Sequence, residues 1–212
     1  MSRIREICSL SPIVPVLAIS NQSSAVPVAQ SLVNNKLNVL EVTLRTEQAL
    51  DVIKAMSAVE GAVVGAGTVL TPDQLLRVID AGAQFAVSPG ATDVLLKAAM
   101  DQNFPLLPGV SSASDVMRMM DYGLDTLKLF PAQVVGGVKL LQSFYGPFPD
   151  IAFCPTGGVT LDNMTDYLSL KNVVCVGGTW LVPQGDLNDQ PFLAIDAAAK
   201  MAFDKASLLN DA

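Results

Sequence analysis

Short β-rich runs recur along the whole chain, and their spacing limits the folds that it can form. A new run begins roughly every 20 to 25 residues, and the eight runs are 13–19, 39–44, 62–65, 85–88, 105–107, 126–130, 151–154 and 173–176. The stretches between them, such as 72–81 and 91–102, carry apolar side chains at helical spacing. Strands that alternate with helices pair in parallel, so eight units predict a closed (β/α)8 TIM barrel, and a doubly wound sheet is the alternative.

Helix boundary signals support this alternation. Thr71 is followed by proline, and threonine suits the cap of a helix whose first position tolerates proline. Gly82 and Gly123 stand where helices commonly end in a left-handed residue. The segment 1–11 predicts a short N-terminal helix that closes the bottom of the barrel. No linker or low-complexity tract divides 1–212, so we expect a single domain.

Composition argues against several classes of function. Half of the 212 residues are apolar and only 16% are charged, so partner subunits are expected to cover part of the surface. The net charge of −7 and the lack of a basic cluster argue against nucleic-acid binding. No apolar run approaches the ~20 residues of a membrane-spanning helix, and the interrupted apolar stretch near the start does not match a signal peptide. Three scattered cysteines predict reduced thiols and a cytoplasmic protein.

One lysine interrupts an apolar strand. Lys128 lies within Thr-Leu-Lys-Leu-Phe-Pro at 126–131, where burial of an ammonium group is costly unless the site uses it. A desolvated lysine gives up its proton more readily and then acts as a nucleophile, typically by forming an imine with a carbonyl substrate. The chain contains no histidine, which excludes Ser-His and Cys-His catalysis and histidine-ligated metal sites.

The second strand carries charged residues among apolar ones. Alternate residues of a barrel strand face the lumen, so Glu41, Thr43 and Arg45 are predicted to point inward. The same rule turns Lys128 and Phe130 inward from the sixth strand. Three charges in one lumen of low dielectric, near the end that carries catalysis in such barrels, favour an active site. A structural buried ion pair is the alternative.

The ends of the predicted strands are rich in Gly, Pro and Thr, above all after strands seven and eight. Gly157-Gly158 follows the seventh strand, and Gly177-Gly178 and Thr179 follow the eighth. Barrels commonly bind phosphate at these two turns through backbone N–H groups, and Thr179 adds a hydroxyl donor. We therefore expect a phosphate site here.

Six motifs follow one another along nearly the whole chain. They are Glu41-Val-Thr-Leu-Arg45, Gly65-Ala-Gly-Thr68-Val, Ser88-Pro-Gly90, Lys128-Leu-Phe-Pro131-Ala, Phe153-Cys-Pro-Thr-Gly-Gly158 and Gly177-Gly-Thr-Trp-Leu-Val-Pro183. In this order they resemble the motifs of the 2-keto-3-deoxy-6-phosphogluconate (KDPG) and 4-hydroxy-2-oxoglutarate aldolase family. The resemblance implies a class I (Schiff-base) aldolase of (β/α)8 fold, which is a homotrimer and needs no metal or other cofactor.

The resemblance also implies a role for most of the residues above. The Schiff-base lysine falls on Lys128, and the general acid/base glutamate falls on Glu41. The groups that bind the keto-acid carboxylate fall on Arg45 and Thr68. The other substrate-binding positions fall on Pro89, Phe130 and Thr156.

The phosphate site of the family falls on Gly157, Gly158, Gly178 and Thr179. The implied substrate is therefore a small phosphorylated keto acid, KDPG, which is cleaved to pyruvate and glyceraldehyde 3-phosphate. A second implied substrate is 4-hydroxy-2-oxoglutarate, which lacks a phosphate and is cleaved to pyruvate and glyoxylate.

The sequence departs from the family pattern at three places. Thr179 replaces a frequent serine, Gln133 replaces a frequent glutamate, and Ser20-Asn21 replaces a frequent basic residue after the first strand. The last change raises the question of what neutralises the negative charge of the substrate. Two alternatives stay open. One is a 2-keto-3-deoxy-6-phosphogalactonate aldolase, whose members tend to have an apolar residue at the position of Thr156, and the other is a phosphate-binding barrel isomerase or synthase that forms no imine.

Overall fold

Eight strands form the centre of the protein, as the sequence predicts. The computed structural model describes residues 1–184, 187 and 192–209, and the rest of the predicted domain 1–212 lies outside the described residues. The strands are β1 Ile13–Leu17, β2 Val39–Thr43, β3 Val63–Gly67, β4 Phe85–Ser88, β5 Leu106–Val110, β6 Thr126–Leu129, β7 Ala152–Phe153 and β8 Val176–Gly178.

All eight strands belong to one curled parallel sheet. Their order is β7-β6-β5-β4-β3-β2-β1-β8, so β1 pairs with both β2 and β8. A doubly wound sheet reverses direction at a switch point next to its first strand, and the consecutive order β1 to β7 has no such reversal. Beyond β7, Thr156 forms an isolated parallel bridge with Gly177 of β8.

Helices follow the strands along the described ranges. They are α1 Arg3–Cys8, α2 Ala25–Asn34, α3 Ala49–Ser57, α4 Pro72–Asp80, α5 Asp93–Asp101, α6 Ala113–Asp121, α7 Gly137–Tyr145, α8 Met164–Leu168 and α9 Phe192–Ser207, with a 3-10 turn at Gln22–Ser24. None of the helices in those ranges combines the length and the apolar character that a bilayer crossing requires.

The predicted helix boundaries are confirmed. The Thr71 side chain accepts a hydrogen bond of 3.2 Å from the Gln74 N–H, and α4 begins with proline at the next position. Gly82 and Gly123, which follow α4 and α6, have φ angles of +93° and +74°. These angles lie in the left-handed region that favours glycine, which is why the helices end there.

Alternation along the strands divides the apolar side chains into two layers. Leu40, Val42, Leu127 and Leu129 are fully buried in the large cluster between the sheet and the helices. The inner face of the sheet carries a smaller cluster, whose members are Ile4, Ile7, Cys8, Val14, Val39, Phe85, Val87, Leu107, Cys154 and Cys175. The predicted outward and inward sides of β2 and β6 are therefore confirmed.

The predicted N-terminal helix closes the amino-terminal end of the sheet. Ile4 and Ile7 of α1 insert into the inner cluster. The Arg5 guanidinium donates to the Thr126 hydroxyl at 3.1 Å and to the carbonyl oxygens of Asp125 and Asp150. These acceptors lie at the start of β6 and just before β7, so one arginine side chain holds the helix against the ends of two strands.

Two strands extend beyond their predicted ends. The prediction ends them early because glycine in a strand interior usually signals a break. β3 continues through Gly67, and β5 continues through Gly109. A Cβ on Gly67 would lie 2.2 Å from Oε1 of Glu41, and one on Gly109 would lie 2.1 Å from the Pro89 carbonyl oxygen. These glycines make room for neighbouring groups within regular strands. β8 is also shifted, since it begins at Val176 and the predicted run begins at 173.

Replacement of Gly65 by alanine should destabilise the protein. A Cβ there would lie 2.4 Å from the ring of Phe85, which is fully buried on the inner face, so the core would be overpacked. We expect a loss of about 1–3 kcal/mol in the free energy of unfolding, measured by urea denaturation. Gly146→Ala is the matched control, because no atom lies within 4 Å of the position that its methyl group would occupy and its φ is −65°. Equal stability of the two variants would contradict this account of the inner core.

Candidate active site

A cavity of about 260 Å³ opens at the carboxyl ends of the strands. All eleven site residues predicted from the sequence line it, and they are Glu41, Arg45, Thr68, Pro89, Lys128, Phe130, Thr156, Gly157, Gly158, Gly178 and Thr179. They come from six different strands or the turns after them. The structure thus brings the whole predicted set together, while the chemical role of each residue stays a prediction.

The centre of the cavity is an ion pair between two strands. Lys128 of β6 places its Nζ 3.2 Å and 3.3 Å from the two carboxylate oxygens of Glu41 of β2. Lys128 is 5% exposed and Glu41 is 3% exposed, so bulk water hardly screens the pair. Gly67 of the neighbouring β3 leaves the space that the glutamate side chain occupies. A proton can therefore pass directly between the amine and the carboxylate.

An aromatic ring covers the lysine on one side. The Nζ of Lys128 lies 5.4 Å from the centre of the Phe130 ring, which is within the range of a cation–π contact. The two residues are neighbours on the inward side of the same strand end. The ring contributes an apolar wall to the cavity without supplying a competing hydrogen-bond acceptor.

The arginine of the site is oriented by a threonine. Arg45 donates from Nε to the Thr43 hydroxyl at 3.1 Å, and that hydroxyl donates to the Leu17 carbonyl at 2.8 Å. The two terminal guanidinium nitrogens of Arg45 donate to no acceptor within the described ranges. They are the part of the side chain that binds a carboxylate in a bidentate manner.

One residue of the site has a strained backbone. Thr68 follows directly after β3 and has a φ angle of +61°. A β-branched residue in the left-handed region is an outlier, because its side chain crowds its own backbone. Such strain costs about 1–3 kcal/mol and tends to occur at functional sites, where surrounding contacts maintain it. Here it turns the residue after β3 toward the cavity.

The turns after β7 and β8 supply backbone N–H groups. Gly157 and Gly158 have φ angles of +98° and +80°, and their N–H groups donate to no acceptor among the described residues. A Cβ on Gly178 would lie 1.6 Å from the Trp180 ring, so the second turn also requires glycine. Next to it, Thr179 also lines the cavity.

No cationic side chain of the described part of the chain lines the end of this cavity that the turns after β7 and β8 form. The cationic residues that line the cavity are Arg45 and Lys128, which belong to the end near β2 and β6. Ser20 is exposed, and Asn21 uses its side-chain oxygen to accept a 2.9 Å hydrogen bond from the Ser23 N–H. The polar groups that the turns after β7 and β8 offer to the cavity are therefore backbone N–H groups and the side chains of Thr156 and Thr179.

Three free thiols lie beneath the site without entering it. Cys8, Cys154 and Cys175 are buried in the inner cluster. Hydrogen bonds with Cys154 and Cys8, together with burial, raise the pKa of Cys175 well above its ordinary value. The same hydrogen bond with Cys175 lowers the pKa of Cys154. A buried thiol such as Cys175, whose pKa is raised, stays protonated and packs as a small apolar group.

Sequence reasoning did not assign a role to four further lining residues. They are Val16, Thr43, Val159 and Gly177. Thr43 had a visible signal, since it lies midway between Glu41 and Arg45 on the inward side of β2. Its hydrogen bond to Arg45 depends on how the chain bends after β2, and the sequence carries no signal for that bend.

Comparison with known proteins agrees with this geometry. The family model described as "Aldolase: KDPG and KHG aldolase" matches residues 4–198. The KHG/KDPG aldolase of Escherichia coli (strain K12) is 51% identical over 203 residues, which is 95% of each chain. The crystal structure of the 2-keto-3-deoxy-6-phosphogluconate aldolase of Zymomonas mobilis ZM4 with 3-phosphoglycerate has a TM-score of 0.90 and 47% identity, covering 95% of each chain. The KDPG aldolase of Legionella pneumophila, with pyruvate captured as a covalent carbinolamine intermediate, has a TM-score of 0.85 and 38% identity, covering 98% of each chain. With its site geometry, a family match over nearly its whole length and these relatives, the chain belongs to the KDPG and KHG aldolase family.

Proposed function

We propose that the protein is a class I aldolase that cleaves KDPG to pyruvate and glyceraldehyde 3-phosphate. It also cleaves 4-hydroxy-2-oxoglutarate to pyruvate and glyoxylate. The observation that carries this proposal is the buried pair of Lys128 and Glu41, 3.2 Å apart in a cavity that also contains Arg45. A nucleophile next to its own proton acceptor, beside a carboxylate-binding group, suits imine formation with a 2-keto acid. The pyruvate carbinolamine of the Legionella relative supports the same chemistry.

The first half of the reaction builds the imine. Lys128 transfers a proton to Glu41, and its free amine then attacks the C2 ketone of the substrate to give a carbinolamine. Glu41 returns the proton to the C2 hydroxyl, which leaves as water and yields a protonated imine. Arg45 binds the substrate carboxylate, and this holds C2 against the lysine nitrogen.

The second half breaks the carbon–carbon bond. Glu41 accepts the proton of the C4 hydroxyl, the C3–C4 bond breaks, and its electron pair moves into the imine to form an enamine. The aldehyde product leaves at this step. Protonation of the enamine at C3 restores the imine, and water then hydrolyses it to release pyruvate and the free Lys128 amine. Atoms and electrons balance without any further reactant.

The remaining lining residues fit the two ends of the substrate. Thr68 assists Arg45 at the carboxylate, and Pro89 and Phe130 form apolar walls. Thr156 contacts the hydroxyl-bearing carbons and bears on stereochemical preference. The four residues at the phosphate end are Gly157, Gly158, Gly178 and Thr179.

We also infer that the sheet closes into a single (β/α)8 barrel domain. Closure is supported at the β7–β8 seam, where the Gly177 N–H donates to the Pro155 carbonyl at 2.9 Å and the Val174 N–H donates to the Phe153 carbonyl at 3.0 Å. β8 already pairs with β1 on one side, and these two hydrogen bonds join its other side to the β7 segment. A crystal structure in which the two segments lie apart would contradict closure.

Trapping with borohydride tests the imine directly. Borohydride reduction in the presence of pyruvate should add one pyruvate-derived group to Lys128, located by intact-mass and peptide analysis, because reduction converts the imine to a stable amine. Lys128→Arg keeps a positive charge beside Glu41 but has no nucleophilic amine, so it should form no adduct and lose at least about 10³-fold in turnover.

Lys139→Ala is the matched control for that experiment, because Lys139 is exposed on α7 and should be dispensable. An adduct on another lysine, or near-normal turnover by folded Lys128→Arg, would contradict the mechanism. Absence of any adduct in folded wild-type protein would favour the phosphate-binding isomerase or synthase alternative.

Replacement of Thr179 by valine tests the phosphate end. The variant keeps the shape of the side chain and removes its hydroxyl donor, so kcat/KM for KDPG should fall roughly 10- to 100-fold. Cleavage of 4-hydroxy-2-oxoglutarate, which has no phosphate, should change by less than about 2-fold. Thr165→Val on α8, outside the cavity, serves as the control. Equal losses with both substrates would argue against this placement of the phosphate.

We further propose a homotrimer. Several large apolar side chains are exposed on adjacent helices α4, α5 and α6, and they are Leu76, Val94, Met100, Met117 and Met120. A subunit interface would remove these side chains from water. Analytical ultracentrifugation should therefore give a mass three times that of one chain. A mass of one chain at micromolar concentration would contradict the proposal.

A further inference from the structure

The turn after β7 is held by three consecutive hydrogen bonds to its carbonyl groups. The Ala132 N–H donates to the Thr156 carbonyl at 2.8 Å, and the Gln133 N–H donates to the Gly157 carbonyl at 2.9 Å. The Asn163 side-chain amide donates from Nδ2 to the Gly158 carbonyl at 3.0 Å. Because each peptide unit is planar, fixing its carbonyl also fixes the direction of the next N–H group.

The N–H groups on the other side of this turn are available to a ligand. Those of Gly157 and Gly158 donate to no acceptor among the described residues, and both glycines line the cavity. The described lining of this end contains no lysine or arginine. Binding of an anion here depends on backbone N–H dipoles that must point toward the anion before it binds. The rigidity of the turn therefore determines the affinity.

Asn163 is the one side chain among the three donors. It lies at the position before α8, where asparagine usually caps a helix, yet it makes no capping bond to α8. Its amide turns back to the loop instead, since Oδ1 accepts from the Thr160 N–H at 2.8 Å while Nδ2 donates to Gly158. The side chain thus clamps the loop at two points. It does not line the cavity, so it acts on a ligand only through the loop.

We propose that Asn163 is a positioning residue that determines preference for phosphorylated substrates. Its clamp fixes the peptide between Gly158 and Val159 and so orients the Val159 N–H toward the phosphate; this N–H donates to no acceptor among the described residues, and Val159 lines the cavity. Together with the N–H groups of Gly157 and Gly158, whose directions the bonds from Ala132 and Gln133 fix, it substitutes for the missing cation. The inference rests on the proposed aldolase function, and it deepens that function by naming what distinguishes the phosphorylated substrate from the unphosphorylated one.

Asn163→Ala should therefore separate the two substrates. The KM for KDPG should rise about 10-fold while kcat changes by less than about 2-fold, because the loop contacts the phosphate and not the reacting carbons. Both constants for 4-hydroxy-2-oxoglutarate should stay within about 2-fold of wild type. Inorganic phosphate, tested as an inhibitor of 4-hydroxy-2-oxoglutarate cleavage, should lose potency by about the same factor as KDPG.

Asn163→Asp distinguishes the two halves of the clamp. The carboxylate still accepts from the Thr160 N–H, but it replaces the donor to the Gly158 carbonyl with a second acceptor. We expect KDPG binding to weaken at least as much as in Asn163→Ala. Wild-type behaviour of this variant would show that the bond to Gly158 is unimportant and would overturn the proposal.

Asn38→Ala is the matched structural control. Asn38 also donates from Nδ2 to a glycine carbonyl, that of Gly61 at 2.9 Å, and Gly61 also has a positive φ of +83°. This clamp precedes β2 and β3, at the opposite end of the sheet from the cavity. Its loss should lower thermal stability to a similar extent as Asn163→Ala and leave both KM values unchanged.

The experiments distinguish failure of the inference about Asn163 from failure of the proposed aldolase function. Equal effects of Asn163→Ala on both substrates, or an unchanged KM for KDPG, would overturn the inference while leaving the aldolase intact. Should Asn163→Ala fail to fold, Asn163→Asp and the phosphate inhibition assay carry the same comparison. Wild-type protein that neither cleaves KDPG nor forms a pyruvate adduct on Lys128 would instead overturn the proposed function, and the inference would fall with it.

Discussion

The buried contact between Lys128 and Glu41 is the constraint around which the rest of the site is arranged. Removing either charge from water costs several kcal/mol, and a close partner is what makes the burial tolerable. The surrounding structure serves the pair, since Gly67 leaves room for the carboxylate and Phe130 closes one side of the ammonium group. Two strands on different sides of the cavity each contribute one charge, so the ion pair forms only when the sheet has curled.

In the proposed mechanism the two ends of the cavity bind negative charge in different ways. At the proposed carboxylate end a side chain does this, since the Thr43 hydroxyl accepts from Nε of Arg45 and leaves the two terminal nitrogens for the substrate. At the proposed phosphate end recognition would fall to backbone N–H groups, whose directions are set by hydrogen bonds to the carbonyl groups of the same turn. A guanidinium brings full charge and tolerates small displacements, whereas peptide dipoles bring little charge and require accurate placement. Under this proposal, positions outside the cavity, such as Asn163, matter more at the second end.

Much of this arrangement could be predicted from the sequence, because it depends on periodicity. The period of two along β2 and β6 is enough to send Glu41 and Lys128 to the same side of the sheet. The glycine pairs after β7 and β8 likewise indicate turns in which backbone comes close to a ligand. These features are local in the sequence, and sequence patterns predict local features most directly.

The features that could not be predicted depend on contacts between residues that are separated in the sequence. Gly67 and Gly109 look like strand breakers until their neighbours are known, so the sequence places the ends of β3 and β5 too early. The positive φ of Thr68 could not be predicted from the residue type, because threonine rarely adopts that conformation. Asn163 resembles an ordinary helix cap, and only the position of the Gly158 carbonyl reveals its other use.

The helix at the start of the chain has a consequence for the order of assembly. The Arg5 guanidinium donates to the carbonyl oxygens of Asp125 and Asp150, which lie 120 and 145 positions after it in the sequence. The two carbonyl acceptors of Arg5 therefore become available only after residue 150 has been made, and the pairing of β1 with Val176 of β8 comes later still. These long-range contacts of α1 and β1 are among the last that the chain can form. Until then, Ile4 and Ile7 can be covered only by the members of the inner cluster made earlier, such as Val14 and Val39, so the helix is fully secured only when the sheet is nearly complete.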